Sequence, residues 1–179
     1  VRLTAALLGI ELELIPVNVR NPPRPEALLA GHPIDGQVPL LVRDDGTKRA
    51  ESLAILCELA EGTPLMPRDP RTRSEVLQWL SFDQGRATAN LARARAFTAF
   101  GPPPGLGGDP LPWWHQQVDL VLDILDRHLA SRDWLAGRTV TIADLANYAY
   151  VHLAEQGGFD LKRRVHVGRW MRAIEALPG

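Results

Sequence analysis

Gly36-Gln37-Val38-Pro39-Leu40-Leu41-Val42-Arg43-Asp44-Asp45-Gly46-Thr47-Lys48-Arg49-Ala50-Glu51-Ser52 is the stretch whose reading decides the fold. It starts as a short apolar strand entered through Val38-Pro39, turns at Asp45-Gly46 and arrives at a polar Glu51-Ser52 step. Leu53, Ile55, Leu56 and Leu59 then give the apolar side of a helix running to about residue 61. An X-Pro bond can be cis at a cost of about 0.5–1 kcal/mol, against about 3 kcal/mol for other peptide bonds. A strand that opens on proline is therefore a place where backbone groups turn outward. Ser52, just ahead of the apolar run, is expected to cap the helix through its hydroxyl, with the free N–H groups behind it attracting an anion.

Towards the N-terminus, residues 1–8 are helix formers, and Gly9 stands where a left-handed residue ends a helix. Residues 11–19 alternate and carry branched side chains, which predicts a strand, with Pro16 suited to an edge. Helix then strand opens a βαβ unit whose first strand the sequence does not contain. A proline-rich loop over 21–35, with a short helical piece at 26–30, leads to the quoted stretch.

Towards the C-terminus, the prolines of 62–70 cannot continue a helix, and from there the pattern is wholly helical. Residues 71–100 carry no proline and predict one long helix. Residues 101–112, with five prolines and four glycines, predict a loop, and 115–130 a further helix with Val118, Val121, Leu122, Leu125 and Leu129 at helical spacing. Thr141-Ile142-Ala143-Asp144 predicts a capping box, with Val140 stapled against Leu145. Trp170 and Ile174 mark a last helix.

Composition narrows the function classes. The 179 residues, 45% hydrophobic and 23% charged with a formal net charge of -1, suit an ordinary globular chain. No basic excess exists for a phosphate backbone, so nucleic acid is not an expected partner. The apolar run at 3–10 is too short to span a bilayer, and no membrane segment is expected. Cys57 is the only cysteine, which excludes an internal disulfide and makes a reducing compartment the simpler expectation. No metal-ligand cluster is present, and the cytoplasm is the default location. Cys57 itself reads as a small hydrophobe within its helix.

Taken in order, Val38-Pro39, the hairpin and Glu51-Ser52 resemble the glutathione S-transferase family, bacterial-type and cytosolic. The Thr-Ile-Ala-Asp string, Trp134-Leu135-Ala136-Gly137 and the terminal run at 165–178 extend the resemblance along the chain. It implies an α/β thioredoxin-like N-terminal domain, incomplete at its N-terminus, plus an all-α C-terminal domain. The expected boundaries are residues 1–62, a linker at 63–70 and helices over 71–179. It implies glutathione as co-substrate, with no metal. Val38, next to a cis Pro39, would pair with the cysteinyl part, Glu51 and Ser52 would hold the γ-glutamyl end, and Gln37 or His32 would reach the glycyl carboxylate.

The implied activity is conjugation of the glutathione thiolate to a small hydrophobic electrophile, a detoxification chemistry, in a homodimer. The catalytic residue is unknown: the thiol-activating serine, tyrosine, cysteine or threonine would lie upstream of Val1. The electrophile would lie across the domain junction against the long helix, where Trp79, Phe82, Arg86, Asn90, Arg93 and Phe97 share a face by their spacing. There Arg86 or Arg93 would favour anionic ligands. Phe82-Asp83-Gln84 resembles an acidic-Gln segment of bacterial relatives, although Gly85 stands where an aromatic residue often follows. Two alternatives stay open: a glutathione-dependent reductase, dehalogenase or isomerase on the same fold, and a non-catalytic binding or assembly module.

Overall fold

The computed structural model describes residues 1–18, 25–34, 36–102, 105 and 107–178. The chain divides into two compact units, Val1–Thr63 with the C-terminal Pro178–Gly179 and Pro64–Leu177.

In the first unit, α1 (Arg2–Leu7) stops at Leu8, and Gly9 follows at φ 65. After it come α2 (Glu26–Leu29), strands β1 (Leu40–Val42) and β2 (Lys48–Ala50), and α3 (Ser52–Ala60). β1 and β2 pair antiparallel, with Leu40 opposite Ala50, Leu41 opposite Arg49 and Val42 opposite Lys48. Their turn is closed by Arg43 N–H to the Thr47 carbonyl (2.9 Å) and by Thr47 N–H to Asp45 Oδ1 (2.8 Å). Gly46 takes φ 82 there, a backbone that a Cβ disfavours. Ala5 from α1 and Ile55, Leu56 and Ala60 from α3 are buried and form the centre of this unit.

The strand expected over 11–19 is not formed by its described part. Residues 10–18 form no ladder, leaving Leu14 56% and Ile15 76% exposed. Alternation sets which way side chains point, but a strand also needs a neighbour for its N–H and C=O groups. Among the described residues the sheet has two strands, and neither borders this segment. Residues 19 and 20, and residues 21–24 and 35 of the proline-rich loop, lie outside the described residues.

The second unit is helical. α4 (Pro70–Phe82) begins at Asp69, whose carboxylate accepts from Thr72 N–H at 2.8 Å, with Pro70 at a position that needs no donor. The helix expected to be unbroken over 71–100 is interrupted by a π-turn at Asp83–Ala87 before continuing as α5 (Thr88–Phe100). α6 (Leu111–Leu129), α7 (Ile142–Val151), a 3₁₀ turn (Ala154–Gly157) and α8 (Val165–Glu175) complete it. Leu65 and Met66, read from sequence as linker, are buried in this unit. Val118, Val121, Leu122, Leu125 and Leu129 are buried along α6, as their spacing predicts. No helix among the described residues is long and apolar enough to cross a membrane.

Candidate functional site

The antiparallel register explains why two segments far apart in the quoted stretch form one corner. Because Leu40 faces Ala50, the residues just before β1 and just after β2 emerge at the same end of the hairpin. Those residues are Val38-Pro39, whose peptide bond is cis, and Glu51-Ser52. Val38, Pro39 and Glu51 are exposed, and Ser52 is half-buried.

Glu51 carries φ 67 and ψ 115, and among the described residues it alone has positive φ without being glycine. Such a backbone costs about 1–3 kcal/mol, so the surroundings must hold it. Glu58 of α3 is one brace: its two carboxylate oxygens accept from Arg43 Nε (2.5 Å) and Arg49 Nε (2.6 Å), tying both arms of the hairpin to the helix that Glu51 introduces. Those two guanidinium donors hold the Glu58 carboxyl below its usual range.

Ser52 departs from its expected role. It is the first helical residue of α3, with Glu51 at the cap position, and no side chain caps this helix. The first-turn N–H groups therefore lack a side-chain acceptor, and the hydroxyl is not spent on the backbone as a cap.

The loop before β1 is held by two side chains. Lys48 Nζ, from β2, donates to the Ala30 carbonyl at 2.6 Å, and a Cβ on Gly31 (φ 66) would meet that ammonium at 3.1 Å. His32 accepts from Ile34 N–H at Nδ1 (3.1 Å) and lies 3.0 Å from the Gln37 carbonyl through Nε2. A carbonyl oxygen can only accept, so Nε2 carries the hydrogen and Nδ1 the lone pair. Gln37 itself is exposed.

In the helical unit, the face that sequence spacing assembles is turned towards α6. Trp79 stacks obliquely on His128 at 4.6 Å, and Phe97 meets Trp114 edge-on at 5.7 Å. A recess of about 390 Å³ is lined by Arg86, Asn90, Arg93, Trp113, Gln117 and Leu120, among others. Asn90 is pinned by donating to the Arg86 carbonyl at 2.7 Å. Neither Arg86 nor Arg93 has an ion-pair partner among the described residues. The recess lies between α5 and α6, inside the helical unit.

Two carboxyls of the helical unit, Asp83 and Asp144, are buried. Asp83, 3% exposed in the π-turn, accepts from the Thr88 hydroxyl at 2.8 Å, and burial pushes its pKa up to about 6. Asp144 reaches back to Thr141 N–H (2.9 Å), as a capping box requires. It also accepts from Leu135 N–H (2.8 Å) and the Trp170 indole N–H (3.0 Å). Burial pushes its pKa up while these donors pull it down. No cluster of metal-binding side chains occurs among the described residues.

Comparison with known proteins turns this geometry into a family. Residues 1–61 match the glutathione S-transferase N-terminal domain, and residues 115–178 match the glutathione S-transferase C-terminal domain. Glutathione S-transferase D7 of Drosophila melanogaster is 30% identical over 185 residues, covering 100% of this chain and 80% of the relative. The chain belongs to the glutathione S-transferase family. A crystal structure of glutathione S-transferase from Pseudomonas fluorescens superposes with a TM-score of 0.87 at 34% identity, over 99% of this chain and 88% of that one. A Fusarium protein named glutathione S-transferase-like protein LUC7 is 29% identical over 181 residues, 96% of this chain and 80% of its own. The first unit of this glutathione S-transferase family member is thus the thioredoxin-like N-terminal domain and the second the helical C-terminal domain.

Proposed function

We propose that the chain is a glutathione transferase that conjugates the glutathione thiolate to a small hydrophobic electrophile. The single observation carrying this reading is the corner where cis Val38-Pro39 and the strained Glu51-Ser52 step emerge side by side from the hairpin, in a chain of this family. Val38 offers its backbone to the cysteinyl part, next to Pro39, and Gln37 is on hand for the glycyl carboxylate. The γ-glutamyl end carries an ammonium and a carboxylate on one carbon. Glu51 supplies the negative partner, while Ser52 supplies a hydroxyl and the uncapped N–H groups of α3.

An ordinary thiol ionises near pH 8.5, so transfer near neutrality needs a donor that stabilises the sulfur anion. Arg86 and Arg93 would favour an electrophile or ligand bearing a negative group. A homodimer, with the N-terminal domain of one copy against the helical domain of its partner, is the proposed assembly. Sedimentation of a monomer at micromolar concentration contradicts it.

Thioether formation between glutathione and an activated aryl halide, with release of the halide ion, tests the activity. A rate well above the spontaneous one is expected. Glutathione binding without turnover of the halide, a mixed disulfide or a maleyl-type isomerisation substrate would favour the non-catalytic module instead.

A further inference from the structure

We propose that His32 is a positioning residue that fixes the backbone presenting Gln37, Val38 and Pro39, and that it acts through the Gln37 carbonyl and not by touching the ligand. The proposal rests on the glutathione-site reading above. Its observation is that both ring nitrogens are occupied within the loop: Nδ1 accepts from Ile34 N–H at 3.1 Å, and Nε2–H donates to the Gln37 carbonyl at 3.0 Å. A neutral imidazole has one donor and one acceptor. With both used, none is left for a glycyl carboxylate.

The Gln37 carbonyl is one peptide group before Val38, so the bond from His32 fixes the plane from which the Val38 backbone is offered. The other end of the loop is held independently. Lys48 Nζ anchors the Ala30 carbonyl at 2.6 Å, and Gly31 permits that approach because a Cβ there would crowd the ammonium. The strand residue Lys48 and the loop residue His32 thus clamp successive parts of one segment, the first to the sheet and the second to itself. Backbone held this way meets its ligand without first being ordered, and the cost of ordering is removed from binding.

The test is calorimetric titration of glutathione into the wild type, His32→Ala and His32→Gln, with melting temperatures as control and the ring ¹⁵N shifts of His32 as a direct readout. The expected wild-type shifts are those of the Nε2–H tautomer, unchanged when glutathione binds. His32→Ala should weaken glutathione about fivefold, the factor that one neutral hydrogen bond is worth, with little change in melting temperature. His32→Gln, which keeps a donor and an acceptor on one planar group, should recover most of that loss. Equal affinities for wild type and His32→Ala would overturn this proposal alone, and ¹⁵N shifts that move on binding would assign the ring a direct contact instead. A wild type that binds no glutathione at millimolar concentration would overturn the glutathione-site reading itself.

Discussion

Leu40 sits opposite Ala50 in the β1–β2 hairpin, and this one pairing brings Val38-Pro39 and Glu51-Ser52 to the same end of the strands. A slip of one residue would reverse the faces of the slipped strand and displace the two segments of the corner from one another. The Glu58 carboxylate, bridging Arg43 and Arg49 from α3, holds the two arms against such a slip.

The strained backbone at Glu51 gives the first prediction. Glu51→Ala keeps φ 67 on a residue with a Cβ, whereas Glu51→Gly relieves that steric conflict. The glycine variant should be more stable than the alanine variant by about 1 kcal/mol, reversing the usual order of these residues. Both should lose glutathione affinity to the same extent, because both lack the carboxylate. Urea denaturation separates the stabilities. Alanine more stable than glycine would mean that the positive φ is not retained in solution.

Asp144 links three parts of the helical domain, accepting from Leu135, Thr141 and Trp170. Asp144→Ala strands three buried N–H donors and the Thr141 hydroxyl (3.1 Å), each worth about 1–3 kcal/mol, so the loss should exceed about 3 kcal/mol and not the ~1 kcal/mol of an ordinary cap. Asp144→Asn should fall between, since its carbonyl can still serve Leu135 and Trp170 while its amide faces the Thr141 donors. Thermal unfolding of the three proteins checks the order. A loss of only about 1 kcal/mol in the alanine variant would reduce Asp144 to a cap.

Asp83 predicts a pH effect of stated sign. Its folded pKa, about 6, lies above the ordinary 3.8, so between these values the folded protein holds more protons than the unfolded one. Stability contributed by this group is present below about pH 4 and is lost as pH rises through about 6. At 1.36 kcal/mol per unit the loss is at most about 3 kcal/mol. Asp83→Asn, which keeps an oxygen for the Thr88 hydroxyl, should therefore be more stable than wild type at pH 7, with the difference vanishing near pH 4. Unfolding curves at both pH values decide it, and a difference independent of pH would contradict the buried carboxyl's titration.

What the sequence made legible was local. The hairpin, the Asp45-Gly46 turn, the α6 stripe and the Thr141–Asp144 box are each written within a few residues, and each has its expected form in the fold. What it hid depends on partners distant in sequence or on backbone geometry. Residues 11–18 alternate like a strand, but pairing is a property of two segments and not one. Trp170 reaches Asp144 from another helix. The π-turn at 83–87 carries Gly85 but no pattern that distinguishes it from a continuous helix. Ser52 looked like a cap because it precedes an apolar run, and Glu51 took the cap position instead. The contacts of the His32 ring with Ile34 and Gln37 depend on the loop's backbone path, which the sequence does not state.

If the Glu51-Ser52 step and the start of α3 hold the γ-glutamyl group, as proposed, calorimetric titration of glutathione into wild type and Ser52→Ala shows it most directly. Hydrogen bonds to a charged group are worth about 1.5–3 kcal/mol, so the alanine variant should bind at least about tenfold more weakly. Because Ser52 caps nothing, its melting temperature should stay within about a degree or two of wild type. Equal glutathione affinity in the two proteins would contradict the claim and remove the γ-glutamyl group from this corner.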